Sequence, residues 1–423
     1  MLVGAPIKRA GARRLVEEHL AELERLADTA GAVVVGVLTQ QIDRPHPGTY
    51  LGKGKVEELR RQLEETEATL VIFDDELSPA QGKNLEDAVG TRVVDRAELI
   101  LDIFATRARS NEAKMQVELA QLEYTLPRLT RMWAHLEKFR GGIGVRGPGE
   151  TQLETDRRLI NHRIKLLKER LTQVQKSREV QRQGRRGAYQ AALVGYTNAG
   201  KSSILRGLSG ATDVFVEDRL FATLDPLTRE VELDGRSTPV LVTDTVGFIR
   251  KLPHHLVASF RATLEEVNEA DVLLHVIDAS HPGWEEQRQV VQQVLGELGV
   301  ADRPTLNVFN KVDRLHPDAL LVLQERLGEL APDSVLVSAQ DEGGLEPLRR
   351  ALLGLVRAQR PVHEVRIPVS AGKLMAELHT IGEVLQSREE GAELVYLARL
   401  DEAGVGRLRR GGAAVNGGGD GRR

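Results

Sequence analysis

The chain has 423 residues, 41% apolar and 28% charged, and contains no cysteine. The length exceeds one ordinary domain, and the cysteine count excludes disulfides, zinc thiolate sites and cysteine catalysis. The net charge of −4 conceals an uneven distribution, because residues 128–186 hold sixteen Lys and Arg against six Asp and Glu. A basic segment on an otherwise acidic protein points to a polyanionic partner, nucleic acid first among candidates, or to a solvated arginine-rich helix face. The N-terminal stretch has no signal-peptide core, and no run of about 18 apolar residues occurs, so no spanning helix is expected and a cytoplasmic monomer is the default.

In chain order, residues 1–100 carry short apolar runs at 32–38, 69–73 and 91–95, separated by the helix-like stretches Val56–Glu65 and Pro79–Val89. Buried strands alternating with helices predict a small α/β domain with a parallel sheet. Residues 101–188 change character. Met115, Leu119, Leu122, Leu126, Leu129, Trp133 and Leu136 recur at spacings of three and four, as do Ile160, Ile164, Leu167, Leu171 and Val174. That period puts each set on one helix seam, and the glycine-rich stretch Gly141–Gly149 between them predicts an antiparallel helical hairpin with arms of roughly 40 Å. Pro127 should kink the first arm. Residues 189–358 alternate strand and helix again, which predicts a doubly wound sheet. Residues 359–402 read as a small α/β domain with strands at His363–Ser370 and Leu394–Leu397 and a helix at Ala371–Ile381, and the Gly/Arg-rich end, 403–423, reads as a disordered tail.

The chemistry lies in 189–358. Gly195, Tyr196, Thr197, Asn198, Ala199, Gly200, Lys201 and Ser202, with Ser203 after them, match G-x-x-x-x-G-K-S between an apolar strand and a helix. In that context backbone N–H groups wrap phosphates, Lys201 places a charge against the β- and γ-phosphates, and the Ser202 hydroxyl suits Mg²⁺. Asp244, Thr245, Val246 and Gly247 follow a second strand. Asp244 suits the hydration shell of Mg²⁺, and the Gly247 N–H suits the γ-phosphate. Asn310, Lys311, Val312 and Asp313 end a third strand, and Ser338, Ala339 and Gln340 a fourth. The Asp313 carboxylate can accept the adjacent ring N–H and amine of guanine, a pair adenine does not offer, so the motif narrows a nucleotide site to a guanine site. Between the first two motifs lie Phe221, Ala222, Thr223, Leu224 and Asp225. Thr223 is the preferred second Mg²⁺ hydroxyl over Thr212 and Thr228, because a strand begins just after it. Lys201, Thr223 and Gly247 are the candidate catalytic positions for GTP hydrolysis to GDP and phosphate.

The GTPase part resembles the Era/Obg-like translation-factor GTPases, and the whole chain, from about 20 to 358, resembles the HflX family. The motifs that carry the resemblance are Gly48–Lys55, Ala113–Leu122, Gly141–Asp156, Phe221–Pro226 and Asp244–Arg250. The resemblance implies a factor that binds the 50S ribosomal subunit and splits stalled or idle ribosomes under stress. The basic hairpin would enter ribosomal RNA through Gly141, Gly142, Arg146, Gly147 and Gly149 at its tip and the adjacent Arg157 and Arg158. In similar GTPases an asparagine at the place of Asn198 helps hold K⁺. A GTPase of ribosome assembly or RNA modification, or a non-hydrolysing GTP-dependent adaptor, remain open. The adaptor reading rests on Phe248, which stands where many small GTPases place a water-orienting glutamine. The run Gly52–Lys55 lacks phosphate-loop spacing and reads as a turn.

Overall fold

The computed structural model describes residues 1–8, 12–129, 148–183, 188–211, 217, 219–233, 240–252 and 265–417. The chain divides into two compact units. The first is Met1–Val180 with Glu217–Asp225 and Ile249–Leu264; the second is Gln181–Val216, Pro226–Phe248 and Glu265–Arg423. Two stretches of the expected 189–358 domain therefore belong to the N-terminal unit.

In the first unit, β1 (Leu2–Gly4), β2 (Val37–Thr39), β3 (Leu70–Phe73) and β4 (Arg92–Asp95) form a parallel sheet in the order β2-β1-β3-β4. Helices α1 (Ala12–Thr29), α2 (Lys53–Thr66), α3 (Pro79–Val89) and α4 (Arg96–Arg107) connect and flank it. Each boundary has a local cause. Ser78 and Gln81 form a capping box at the start of α3, Gly90 ends it in the left-handed conformation, and Asp95 caps α4. Gly52–Lys55 is the start of α2, with Lys55 paired to Glu58 at 2.8 Å. Two expectations are corrected. The first strand is β1, too short to show a pattern. The valine run 32–38 is strand only at its end, where β2 forms the sheet edge, and Val33, before that strand, is 85% exposed.

The hairpin seams meet in part. Leu119, Leu167 and Leu171 pack with Met115, Leu122 and Ile164, joining α5 (Asn111–Thr125) to α6 (Pro148–Gln183). The bidentate pair Arg163–Glu118 (2.6 and 2.8 Å) and Lys168–Glu123 (2.7 Å) flank the seam. Pro127 follows the end of α5 rather than kinking it, since its ring excludes a continuing turn. Gly149 lies in the first turn of α6, not in a loop. Trp133, Leu136, Gly141, Gly142, Arg146 and Gly147 lie outside the described residues.

The second unit holds a six-stranded sheet in the order β10-β9-β8-β5-β7-β6. Its strands are β5 (Tyr189–Gly195), β6 (Leu227–Val231), β7 (Val240–Asp244), β8 (Val272–Asp278), β9 (Thr305–Asn310) and β10 (Val335–Leu336); only β6 runs antiparallel to its neighbour. The helices are α7 (Lys201–Ser209), α8 (Glu265–Glu269), α9 (Trp284–Glu297), α10 (Pro317–Leu330) and α11 (Glu346–Ala358). Burial on both faces explains the near-continuous apolar runs of β5 and β8.

The C-terminal part is an antiparallel sheet of β11 (Val362–Pro368), β12 (Glu383–Glu390), β13 (Glu393–Arg399) and β14 (Ala414–Gly417), ordered β12-β13-β11-β14, with α12 (Gly372–Ile381) and α13 (Glu402–Arg410). This gives a β-α-β-β-α-β arrangement. The expected disordered tail is corrected up to Gly417. Asp401 caps α13, and Leu408, Ala413 and Val415 are buried in the same core as Val365 and Tyr396. Glycine and arginine dominate the composition there and hide a sparse apolar pattern that the core uses. Residues 418–423 lie outside the description. Among the described residues no helix is long and apolar enough to cross a membrane.

Candidate nucleotide site

The second unit brings four of the five motifs together at the carboxyl ends of its parallel strands, where open α/β sheets bind ligands. Two glycines are demanded by close approach. A Cβ on Gly195 would lie 2.3 Å from the Val276 carbonyl oxygen. Gly200 sits at φ +97°, and its Cβ would lie 2.2 Å from Asn310 Nδ2. The loop that these glycines permit closes on Lys201, whose Nζ donates to the carbonyls of Gly195 (3.2 Å) and Tyr196 (3.0 Å). Burial pushes this ammonium down to about 8, Asp244 works against that shift, and Lys311 adds to it. The charge is stored on main-chain oxygens in a site that an anion would complete.

The Asp244–Gly247 segment is laced to this loop. Thr197 N donates to Phe248 O (2.7 Å) and Phe248 N to Gly195 O (3.0 Å). A Cβ on Gly247 would meet Thr197 Cα at 2.6 Å, so only glycine allows the contact. The Ser202 hydroxyl donates to Asp244 Oδ2 at 2.6 Å, which places two hard oxygen donors side by side, the chemistry Mg²⁺ takes. Thr245 Oγ1 donates back to Leu193 O (2.6 Å). Phe248 is 1% exposed, so its ring is core.

The base-reading motif is tied to the same loop. Asn310 Nδ2 donates to Ala199 O (3.0 Å), and Asn310 Oδ1 accepts Ala339 N (3.1 Å). Ser338 Oγ donates to Asp313 Oδ1 (2.8 Å) and accepts from Gln340 N (3.3 Å) and Asp341 N (3.1 Å). Asp313 itself is exposed, on the one-turn 3₁₀ segment Val312–Arg314. A carboxylate fixed on one oxygen and open to solvent can receive a paired donor edge.

The fifth motif belongs to the first unit. Phe221, at φ +56°, is buried edge-on against Phe104 with ring centroids 4.7 Å apart. Asp225 accepts from Arg109 N (3.0 Å) and Ser110 N (3.2 Å), and the Ser110 hydroxyl also donates to it. Arg107 pairs with Glu217 at 2.7 Å. Ala222 and Thr223 are half-buried within this packed stretch. Of the alternative threonines, Thr228 hydrogen-bonds Thr243 across β6 and β7 (2.8 Å), and Thr212 lies outside the described residues. In the same unit Lys251, at φ +53°, pairs with Asp74 and with Asp75 (2.7 Å). Arg96 bonds Asp74 (2.8 Å), Glu22 and the Arg250 carbonyl (3.2 Å). Burial alone would raise the Asp74 carboxyl, but Arg96 and Lys251 outweigh it and hold the group below its ordinary value. Asp74 and Asp75 sit 177 and 176 positions from Lys251, Arg96 sits 154 from Arg250 and Ser110 sits 115 from Asp225, and no local sequence signal marks these links.

A strand–loop–helix that stores a lysine on carbonyls, beside an Asp-x-x-Gly turn and an Asn-Lys-x-Asp strand end, defines a P-loop GTPase. Three domain families match in series: GTP-binding GTPase N-terminal at residues 17–105, GTP-binding GTPase Middle Region at 107–185, and 50S ribosome-binding GTPase at 190–311. Among curated relatives, GTPase HflX of Caldanaerobacter subterraneus is 51% identical over 343 residues, 79% of this chain and 76% of that protein. GTPase HflX of Magnetococcus marinus is 46% identical over 95% of this chain and 92% of its own length, and that of Escherichia coli K12 is 46% identical over 86% and 85%. A GTP-binding protein from the archaeon Sulfolobus solfataricus, solved with GDP, aligns over 85% of this chain and 99% of its own at 26% identity and a TM-score of 0.44. The chain belongs to the HflX family of GTPases.

Proposed function

We propose that this GTPase works in the cytoplasm as a monomer on the 50S ribosomal subunit and its RNA, using its GTP cycle to separate stalled or idle ribosomes under stress. The observation that carries the reading is the basic middle segment, on which Arg157 and Arg158 stand exposed along α6. It sits in a chain whose nucleotide segment matches a family described as 50S ribosome-binding. Exposed guanidinium groups on a long helix suit RNA phosphates, and the 141–149 segment would extend that contact.

In this reading Asp313 accepts guanine, Asn310 and Ala339 fix the base-reading loop, and Gly195–Ser203 wraps the phosphates. Lys201 moves from the Gly195 and Tyr196 carbonyls onto the β- and γ-phosphates, and the Gly247 N–H donates to the γ-phosphate. Ser202 and Thr223 would hold Mg²⁺, with Asp244 behind them, and the ion would neutralise charge on the phosphate oxygens. Water attacks the γ-phosphorus and GDP leaves. Phe248, being buried, orients no water, so hydrolysis by the protein alone is slow and depends on charge or contacts supplied by the ribosome, or by K⁺ held at Asn198. A GTPase of ribosome assembly or RNA modification shares this chemistry, and a non-hydrolysing adaptor shares its binding half. Sedimenting ribosomes with the protein and a non-hydrolysable GTP analogue tests the proposal. Splitting into subunits is expected; intact ribosomes carrying the bound protein would contradict it. Turnover measured in K⁺ and Na⁺, with and without ribosomes, is expected to differ between conditions, and four equal rates would remove both stimulation claims.

A further inference from the structure

The end of β8 has no part in the motifs above, yet its last residue sits between them. One carboxylate oxygen of Asp278 accepts from Ser280 N (3.0 Å) and Ser280 Oγ (2.6 Å). The other accepts Lys311 Nζ at 2.7 Å. That same ammonium donates to the Asn198 carbonyl, also at 2.7 Å. The Lys311 and Asp278 side chains are only 14% and 15% exposed, so water screens the pair weakly.

The link joins two strained places. Lys311 has φ +66° and Asn198 φ +59°, the left-handed region that side-chain-bearing residues avoid and that persists only where surroundings impose it. The end of β9 thus holds the phosphate loop at two successive carbonyls, Ala199 through the neutral Asn310 amide and Asn198 through charged Lys311. Asp278 is the carboxylate that compensates it.

We propose that Asp278, fixed by Ser280, is a positioning residue for guanine nucleotides: through Lys311 it sets the separation between the base-reading loop and the phosphate loop. It reaches the nucleotide only through Lys311, and what it aligns is common to GTP and GDP. Its loss therefore weakens both by the same factor and leaves the reacting γ-phosphate geometry alone.

The test uses the full chain, with fluorescent GDP and GTP analogues followed by stopped flow and single-turnover hydrolysis at saturating GTP. Asp278→Asn keeps shape and removes charge. It is expected to weaken both nucleotides about tenfold, chiefly through faster release, while the saturating hydrolysis rate falls less than twofold. Asp278→Glu should recover part of the affinity, and Ser280→Ala should cost about threefold. Unchanged affinities in Asp278→Asn would overturn the proposal, and so would a loss confined to the hydrolysis rate. If Asp278→Asn fails to fold, Ser280→Ala decides alone: faster release of both nucleotides supports the assignment, and unaltered release rejects it. None of these readouts involves ribosomes, so their failure is separate from failure of the ribosome reading.

Discussion

Around the phosphate loop three close approaches are met by glycines, Gly195, Gly200 and Gly247, beside the left-handed Asn198. In the segments 217–225 and 249–252 the special backbone positions are side-chain-bearing residues, Phe221 and Lys251, both left-handed. In the first arrangement glycines take up the close contacts, left-handed backbone at side-chain-bearing residues is confined to Asn198 and Lys311, and the contacts run between neighbouring strand ends. The second stores about 1–3 kcal/mol per residue and is held by distant groups: Phe104 for the ring, Asp74 and Asp75 for the ammonium, and Ser110 for Asp225. A site that must recognise one base repeatedly suits the rigid construction. In the proposed function the segment around Thr223 answers to the γ-phosphate, and a construction held by distant groups suits that role.

The largest effects are expected on the rigid side. Asp313→Asn removes the acceptor for guanine and should lower GTP affinity by roughly 10³-fold or more in equilibrium titration, with the melting temperature of the nucleotide-free protein unchanged. A tenfold effect or less would mean that the base is read elsewhere. Gly200→Ala adds left-handed strain and drives a Cβ toward Asn310; GTP affinity should fall by about 10- to 100-fold.

Next in size is a pH effect. Burial brings Lys201 down to about 8, and a triphosphate bound beside it would raise that value again. Below pH 8 the lysine is already protonated and binding takes up no proton. Above it, binding must protonate the lysine, so affinity should fall by up to about tenfold per pH unit, with proton uptake visible as a buffer-dependent calorimetric enthalpy. Flat affinity from pH 7 to 9 would place the lysine charge elsewhere.

The smallest effect belongs to the held segments. Asp225→Ala removes the acceptor shared by Arg109 N and Ser110 and should cost about 1–2 kcal/mol of stability, the scale of a helix cap. It should raise protease cleavage within 217–225 while GDP release changes far less than in Asp313→Asn. Equal sensitivity of GDP release to both substitutions would erase the distinction between the two regions.

The sequence exposes the rigid side because its constraints are local. Gly200 and Lys201, Asn310 and Asp313, and Ser338 each follow an apolar strand by a fixed interval, so spacing alone predicts their meeting. The doubly wound sheet is legible for the same reason, through buried runs such as 272–278 and 305–310. What escapes is non-local or compositionally masked. Nothing near Asp225 signals that its carboxylate serves residues 109–110, and nothing near Asp74 signals Lys251. The strand β1 has three residues, too few for a period, and the Gly/Arg-rich stretch around Leu408 hides the apolar positions that complete the C-terminal core. Asp278 and Ser280 carry a faint signal, an Asp two residues before a Ser at the end of a buried strand, which marks a turn without revealing what the other oxygen holds.

Displacement of a fluorescent GDP analogue from the full chain by unlabelled GTP and by ATP tests whether this pocket reads guanine through Asp313. Complete displacement by GTP and none by ATP at about a thousandfold higher concentration is expected. Displacement by ATP at concentrations comparable to GTP would contradict that reading.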